Sequence, residues 1–269
     1  MEKKKKRLII LSIIAGAMVL LLLLTSTVFS IREVTIEHQT TLNVLTKTDL
    51  DNMINEDNMP YRKNIFFTSM KPYIKEIEEA YPYAKVNGIV RKFPNQLVVK
   101  ISERVPVVRV ATSDGEYILD SDLKVLNIAK VPGDYNSISG EKDLPELIIA
   151  ESFGFNLTAY KKSGFVDNEV ICGYVDAIYR GVVHSDKTNP TLAISDLKMI
   201  QSIEVSYVKE LERVRFKIVY TDSGLTSEII GDNNLKENIY KVFSATQELD
   251  SSEYSAVNCT DGVVYAVKK

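Results

Sequence analysis

The sequence predicts an α+β protein with a single N-terminal transmembrane helix, a small βααββ domain and a second, mainly β domain with two or more helices. Three observations support this prediction. The stretch Leu8–Phe29 carries no charge, strand and helix periodicities then alternate over about 70 residues, and short strand patterns dominate afterwards. The predicted bounds are 1–7 for a basic tail, 8–29 for the helix, 31–103 for the first domain and 104–269 for the second.

The apolar stretch is long enough to cross a bilayer. Its 22 residues would form a helix of about 33 Å, against a hydrocarbon core of about 30 Å. Basic residues on one flank favour a cytoplasmic location for that flank, which predicts a single-pass type II protein of the cell membrane. A cleaved signal peptide is the alternative, although its apolar region is normally only about 7–15 residues. The flanking basic residues are Lys3, Lys4, Lys5, Lys6 and Arg7.

The region 31–103 alternates between strand and helix patterns. Thr48 is placed to cap a first helix, because a threonine side chain can accept a hydrogen bond from the first helical turn. Thr68 or Ser69 is placed to cap a second helix, which carries Pro72 in its first turn. The predicted strands are Ile31–His38, Lys85–Lys92 and Gln96–Glu103.

The second domain begins after a proline-bounded junction near residues 103–107 and consists mainly of short strands. Leu197, Ile200 and Ile203 share helical spacing, which predicts a helix over Ala193–Glu204. The Asp261-Gly262 pair predicts a tight turn before a last strand, Val263–Val267. Residues 151–190 match no clear pattern. The other predicted elements are strands at 107–111, 116–119, 123–128, 144–149, 205–208, 214–221, 225–230 and 256–260, and a helix at 234–249.

No residue pattern indicates catalysis. The two histidines, His38 and His184, have no neighbouring nucleophile or acid that suggests a triad, and no metal-spaced set of histidines and cysteines is present. Cys172 and Cys259 lie in apolar sequence, which favours free thiols over a disulfide. The chain beyond residue 7 is acidic, so nucleic-acid binding is not expected. We expect a protein that is not an enzyme and takes no cofactor, metal or small-molecule substrate.

The stretch 91–106, RKFPNQLVVKISERVP, resembles the end of the POTRA domain in FtsQ/DivIB bacterial division proteins. Further similarities are Asn64-Ile-Phe66 between the two predicted helices, Tyr117–Asp120 just after the domain, and Leu144-Pro145 beyond it. As far as about residue 150 the resemblance rests on specific residues, and beyond that point it rests only on the architecture. The residues of the motif are Arg91, Phe93, Pro94, Asn95, Glu103, Arg104 and Pro106.

This resemblance implies a non-enzymatic, bitopic membrane scaffold of the divisome. Such a protein links early and late division proteins through extracytoplasmic contacts at the septum. Its implied partners are proteins of the FtsB/DivIC and FtsL types, together with the lipid bilayer.

The sequence suggests where a partner could bind. A C-terminal strand can leave a sheet edge open, and a partner strand can pair with that edge through backbone hydrogen bonds. Pairing of the same edge within the chain is the alternative. The candidate partner-binding residues are Gly262, Val263, Val264, Tyr265, Ala266 and Val267.

Two other classes of protein remain open. One is a POTRA-bearing protein of envelope assembly, although such chains carry several POTRA repeats and a membrane barrel, and this sequence shows a single POTRA-like pattern. The other is a membrane-anchored extracytoplasmic enzyme of unrecognised type, which the absence of catalytic motifs disfavours.

Overall fold

The protein divides into two compact units, each containing helices and strands, so the class is α+β. Unit 1 comprises Met1–Thr40 with Leu45–Ser102, and unit 2 comprises Thr41–Val44 with Glu103–Lys269. The division falls at the proline-bounded junction singled out in the sequence. The computed structural model describes residues 2–39, 42, 44–113, 115–129, 143–157, 160–183 and 195–269; within the first helix, side chains are described at 9–20 and 27–28.

Unit 1 contains a three-stranded sheet with the strand order β1-β3-β2. β1 runs parallel to β3, and β2 is joined to β3 by a tight turn. Parallel strands need a long connection, which the two helices after β1 provide. The buried core includes Ile31, Met53, Ile65, Ile77 and Leu97. The elements are α1 (Glu2–Val28), β1 (Glu33–Gln39), α2 (Lys47–Met53), α3 (Lys71–Ala80), β2 (Ala84–Lys92) and β3 (Gln96–Glu103).

The helix caps differ from the predicted ones. Thr46, not Thr48, caps α2: its hydroxyl accepts from the backbone N–H of Asp49 at 3.1 Å, and the Asp49 carboxylate accepts from the Thr46 N–H at 2.9 Å. The same spacing of threonine and aspartate occurs two residues later, so spacing alone does not choose between them. Met70 precedes α3 without a side-chain cap, and the Thr68 hydroxyl donates to a backbone carbonyl four residues earlier.

The prediction of a membrane span is wrong. The stretch is helical, in α1, but no helix in the described part of the chain is both long and apolar enough to cross a membrane. The predicted transmembrane helix at 8–29, the bitopic architecture, and the single-pass type II location in the cell membrane at the septum are corrected accordingly.

Unit 2 is built on a mixed sheet whose nine described strands follow the order β12-β11-β10-β9-β8-β7-β4-β5-β6. Two helices, α4 and α5, pack against each other. The elements are β4 (Pro106–Thr112), β5 (Gly115–Asp120), β6 (Val125–Ala129), β7 (Glu146–Ile149), a short 3-10 turn (Glu151–Phe153), α4 (Glu169–Val183), β8 (Ile200–Val208), β9 (Arg213–Tyr220), β10 (Thr226–Ile230), α5 (Leu235–Glu248), β11 (Tyr254–Thr260) and β12 (Val263–Lys268).

Residues 200–204 form a strand, where the sequence predicts part of a helix. Ile200 and Ile203 are both buried, but a register shift between Ile200 and Ser202 interrupts the alternation of β8. A β-bulge adds one residue to a strand, so buried positions on either side of it can stand three residues apart. That spacing imitates a helix. Residues 193 and 194 of the predicted helix lie outside the described residues.

Among the described strand pairs of the unit 2 sheet, β4 and β7 share the shortest stretch of pairing. A single residue pair, Arg109 with Glu146, defines the register of these two strands. The Arg109 N–H donates to the Pro145 carbonyl at 3.0 Å, and its Nε donates to the Leu144 carbonyl at 2.8 Å. The same guanidinium contacts the buried carboxylate of Glu116 at 2.5 Å. One arginine therefore makes most of the polar contacts at this junction.

A buried ion pair lies at the start of unit 2. Arg104 Nη1 is 2.6 Å from Asp120 Oδ2, and both side chains are 4% exposed. The same nitrogen is 3.1 Å from the carboxylate of Asp122. Burial raises the pKa of Asp120 above its ordinary value, while Arg104 acts in the opposite direction. The arginine therefore supports the charged state of a carboxylate that has little access to water.

We predict that Arg104→Met lowers the free energy of unfolding by about 3–5 kcal/mol, because it leaves the Asp120 carboxylate buried without its cation. The double variant Arg104→Met/Asp120→Leu should recover most of that loss, since neither charge remains. Chemical denaturation measures both values. Arg180→Met, which removes an exposed ion pair with Asp176, is the control and should cost less than about 0.5 kcal/mol. Equal losses in the single and double variants would contradict the assignment.

A second prediction concerns the contact between α4 and α5. A Cβ atom at Gly181 would lie 2.7 Å from Ile239 Cγ2 and 2.9 Å from the Lys236 carbonyl oxygen, so Gly181→Ala should destabilise unit 2 by about 1–3 kcal/mol. Gly173, on the same helix, has nothing within 4 Å of such an atom. Gly173→Ala should stabilise the helix by up to about 1 kcal/mol. Thermal unfolding of the two variants compares them directly, and a shift in the same direction for both would refute the close contact.

Candidate functional site

The two edges of the unit 2 sheet differ. At one edge, the segment 163–166 covers the beginning of β6. Val125 donates to the Gly164 carbonyl and accepts from the Ser163 N–H, both at 2.8 Å, and Val166 donates to the Leu123 carbonyl at 3.0 Å. This segment satisfies backbone groups that an edge strand would otherwise expose to water.

At the other edge, β12 pairs only with β11 among the described strands. It is six residues long, and its side chains are half-buried or exposed. Val263 is 66% exposed and Tyr265 is 47% exposed. No proline interrupts it, and its lysine stands at its end rather than along its length. It therefore lacks most of the devices that normally protect an edge strand from pairing with another chain.

The turn that leads into β12 follows from its sequence. Asp261 and Gly262 have φ angles of 51° and 82°. A two-residue hairpin of this kind needs positive φ at both positions, and an Asp-Gly pair adopts it readily. The pairing of β11 with β12 shows no register shift between the pair formed by Thr260 and Val263 and the pair formed by Val257 and Ala266. The structure thus brings the predicted residues Gly262, Val263, Val264, Tyr265, Ala266 and Val267 together at one edge.

The motif residues of unit 1 have structural roles. Arg91 Nη2 donates to the Thr68 carbonyl at 2.8 Å. The Phe93 ring stacks on Phe66, with 4.7 Å between their centroids. Pro94 follows a cis peptide bond in the turn between β2 and β3, and the Asn95 carbonyl accepts from the backbone N–H at the start of β1. These residues hold the sheet and its turn together.

The motif residues of unit 2 fix the path of the chain. The carboxylate of Glu103 accepts from the backbone N–H groups of Leu42 and Val44, the second at 2.9 Å. Arg104 forms the buried ion pair described above, and Pro106 begins β4. A carboxylate that accepts two backbone N–H groups fixes a turn of chain that has no other regular structure.

The remaining predicted positions are not brought together. Lys3, Lys4, Lys5, Lys6 and Arg7 belong to α1, but their side chains lie outside the described ones. His38 lies in β1, and His184 lies outside the described residues. Cys172 and Cys259 are free thiols, half-buried and buried respectively. No group of three histidine, cysteine or acidic residues suited to a metal ion occurs within the described ranges.

A cavity of about 580 Å³ opens at the turn end of β12. Its wall includes the turn Asp261-Gly262, the loop Gly231–Asn234 after β10, and the beginning of β9. No pattern in the sequence predicts this cavity. A dense Gly-Asp-Asn-Asn run between a strand and a helix was the available signal, and by itself it indicates only a loop.

Tyr174 anchors one wall of the cavity. Its hydroxyl donates to Asp232 Oδ2 at 3.2 Å, and its ring meets Phe216 edge-on at 5.0 Å between centroids. The pKa of Tyr174 is raised to about 12, first by burial and second by the negative charge of Asp232. The tyrosine therefore stays a hydrogen-bond donor and keeps the Asp232 carboxylate in place.

No family model matches the chain, and no curated protein matches it significantly in sequence. The structural features at β12 and its neighbouring cavity are therefore interpreted from their own chemistry.

We predict that Tyr174 remains protonated to about pH 12 in the folded chain. Asp232→Asn should lower this pKa, because it removes the Asp232 charge, the second of three causes, but not to 10.0, because burial is the largest cause. NMR titration of tyrosine labelled at Cζ measures the value, and Tyr174→Phe assigns the signal. Formation of the phenolate near pH 10 in the unaltered chain would contradict the arrangement.

Proposed function

We propose that this protein is a non-enzymatic scaffold of the bacterial division machinery, and that a partner protein binds it by adding a strand to β12. Partners of the FtsB/DivIC and FtsL types are proposed from the sequence resemblance over residues 91–106. The function is to hold division proteins together through protein–protein contacts.

The open edge at β12 is the observation that supports this proposal most strongly. At the opposite edge of the same sheet, residues 163–166 cover the beginning of β6, whereas β12 presents its outer N–H and C=O groups without a partner among the described strands. An extended segment that pairs there gains a row of backbone hydrogen bonds. Its side chains would alternate between the two faces of the sheet.

The exposed side chains of β12 add apolar contact to this pairing. Val263 and Tyr265 lie two residues apart, so they project from the same face of the strand. Tyrosine and branched residues contribute to cross-strand pairs by about 0.2–1 kcal/mol each. A partner strand with apolar residues at alternate positions would suit this face.

A deletion tests the binding site. Removing Gly262–Lys269 should abolish retention of FtsB/DivIC- and FtsL-type proteins in a pull-down with the purified chain, because β12 is lost. A double substitution, Val263→Ser/Tyr265→Ser, retains the strand and should weaken retention only partly, since the backbone groups remain. Undiminished retention after the deletion would refute strand addition at β12.

Proline substitution tests the backbone pairing more sharply. Successive N–H groups of β12 point alternately toward β11 and away from it. Proline removes one N–H donor, so substitutions from Val263 to Val267 should alternate in effect. Where the N–H points away from β11, the fold should survive while partner affinity falls by about tenfold or more. Where the N–H points toward β11, the melting temperature should fall, because proline removes a hydrogen bond within the sheet. Partner affinity and melting temperature are measured for all five variants, and an absence of alternation would contradict the proposal.

A further inference from the structure

The sequence of β12 suits pairing with an identical strand. It reads Val263-Val-Tyr-Ala-Val-Lys268, with no proline and no charge before its last residue. When two identical strands pair antiparallel about a two-fold axis, the residues on one side of the axis face those on the other side. Like charges that stand directly opposite each other disfavour such a pairing. β12 carries no charge along its length that would meet its own copy.

The exposed side chains determine the kind of two-fold axis. Val263 and Tyr265 are exposed and project from the same face of β12. An axis perpendicular to the sheet that passes through a residue pair keeps these side chains on one face of the joined sheet. An axis that lies in the sheet, between two residues, turns them to opposite faces. The perpendicular axis therefore brings the exposed apolar side chains of both copies together.

The position of the axis follows from the facing pairs. Axes at Tyr265 and at Ala266 each pair five residues of β12 with the second copy. At Tyr265, the two tyrosines face each other and Val263 faces Val267 of the second copy. At Ala266, Lys268 faces an apolar valine instead. Aromatic and branched pairs are the favourable cross-strand contacts, so the axis at Tyr265 is preferred.

Charge supports the same register. With the axis at Tyr265, Lys268 of one copy lies opposite Gly262 of the other, beside Asp261. The Asp261 side chain is 67% exposed although it contacts Arg213, so it remains accessible to a second cation. Two-fold symmetry repeats this attraction at the other end of the pair. Opposite charges therefore meet at both ends of the joined strands.

We propose that two copies of this chain pair antiparallel through β12, about a two-fold axis at Tyr265, when no partner strand occupies the edge. The outer N–H and C=O groups of each β12 then bond to those of the other. A two-fold contact uses the same patch on both copies, so the assembly closes as a dimer and protects the edge from open-ended pairing. The inference rests on the proposed function in one respect: the partner needs the same edge and must displace the second copy.

Single cysteine substitutions at the five positions 263–267 test the register in the full chain, with oxidised glutathione as the oxidant. Facing residues in antiparallel strands have Cα atoms about 4.5–5.5 Å apart, which a disulfide can bridge. Tyr265→Cys should therefore give a covalent dimer. Val263→Cys should not, because the two copies of residue 263 stand about 14 Å apart along the strands. The unaltered chain is the blank, since its own thiols are half-buried and buried.

A mixed experiment keeps the tyrosine in place. Chains carrying Val263→Cys and chains carrying Val267→Cys should cross-link to each other when mixed, although neither cross-links to itself. Cross-linking at a single position other than 265, equal cross-linking at all five positions, or no cross-linking in either experiment would overturn the proposed pairing.

Charge variants test the ends of the pair by sedimentation equilibrium. Asp261→Asn should raise the dissociation constant of the dimer about fivefold, because two exposed ion pairs are lost. The turn should survive, since Asn-Gly adopts the same conformation as Asp-Gly. Asp222→Asn is the matched control: it removes an exposed acid from the turn between β9 and β10 and should leave the constant unchanged. An equal effect of both variants would mean that only net charge matters, which overturns the register.

Competition separates this inference from the proposed function. Adding an FtsB/DivIC-type protein should reduce the cross-link formed by Tyr265→Cys, because both need the same backbone groups. If the cross-link forms but the partner leaves it unchanged, self-pairing stands and strand addition by that partner at β12 is wrong. If the β12 proline variants lose the partner but no cross-link forms, strand addition stands and self-pairing is wrong.

Discussion

The parallel pairing of β10 with β11 is the constraint on which the architecture of unit 2 depends. Two neighbouring parallel strands cannot be joined by a tight turn, so the chain between them must cross the sheet. α5 makes that crossing and packs against α4, where Gly181 permits a close approach to Ile239. β11 then returns through a two-residue turn to β12, which pairs only with β11 among the described strands. The open edge is a consequence of this order of elements.

The strands and the last turn could be predicted from the sequence, because alternation and an Asp-Gly pair are local signals. Of the helix predicted over Ala193–Glu204, residues 195–197 are helical, whereas 200–204 form a strand because a bulge in β8 gave Ile200 and Ile203 a helical spacing. Thr48 was chosen over Thr46 because both have an aspartate three residues later. The predicted membrane span rested on hydrophobicity along 8–29, but no helix in the described part of the chain is both long and apolar enough to cross a membrane. The residues that line the cavity come from four separate segments of the chain, so no local sequence pattern could predict it.

The short pairing of β4 with β7 at Arg109 has a consequence for how the sheet bears a force applied across its strands. A pulling force applied by a tethered protein at β12 would be transmitted strand by strand through β11, β10, β9, β8 and β7. Between β7 and β4 it meets a single register pair, supported by the side chain of Arg109. A chain of linked elements under tension yields first at its weakest link. We therefore expect the sheet to separate first between β7 and β4 under such a load, which would part β4–β6 from the strands that carry the open edge.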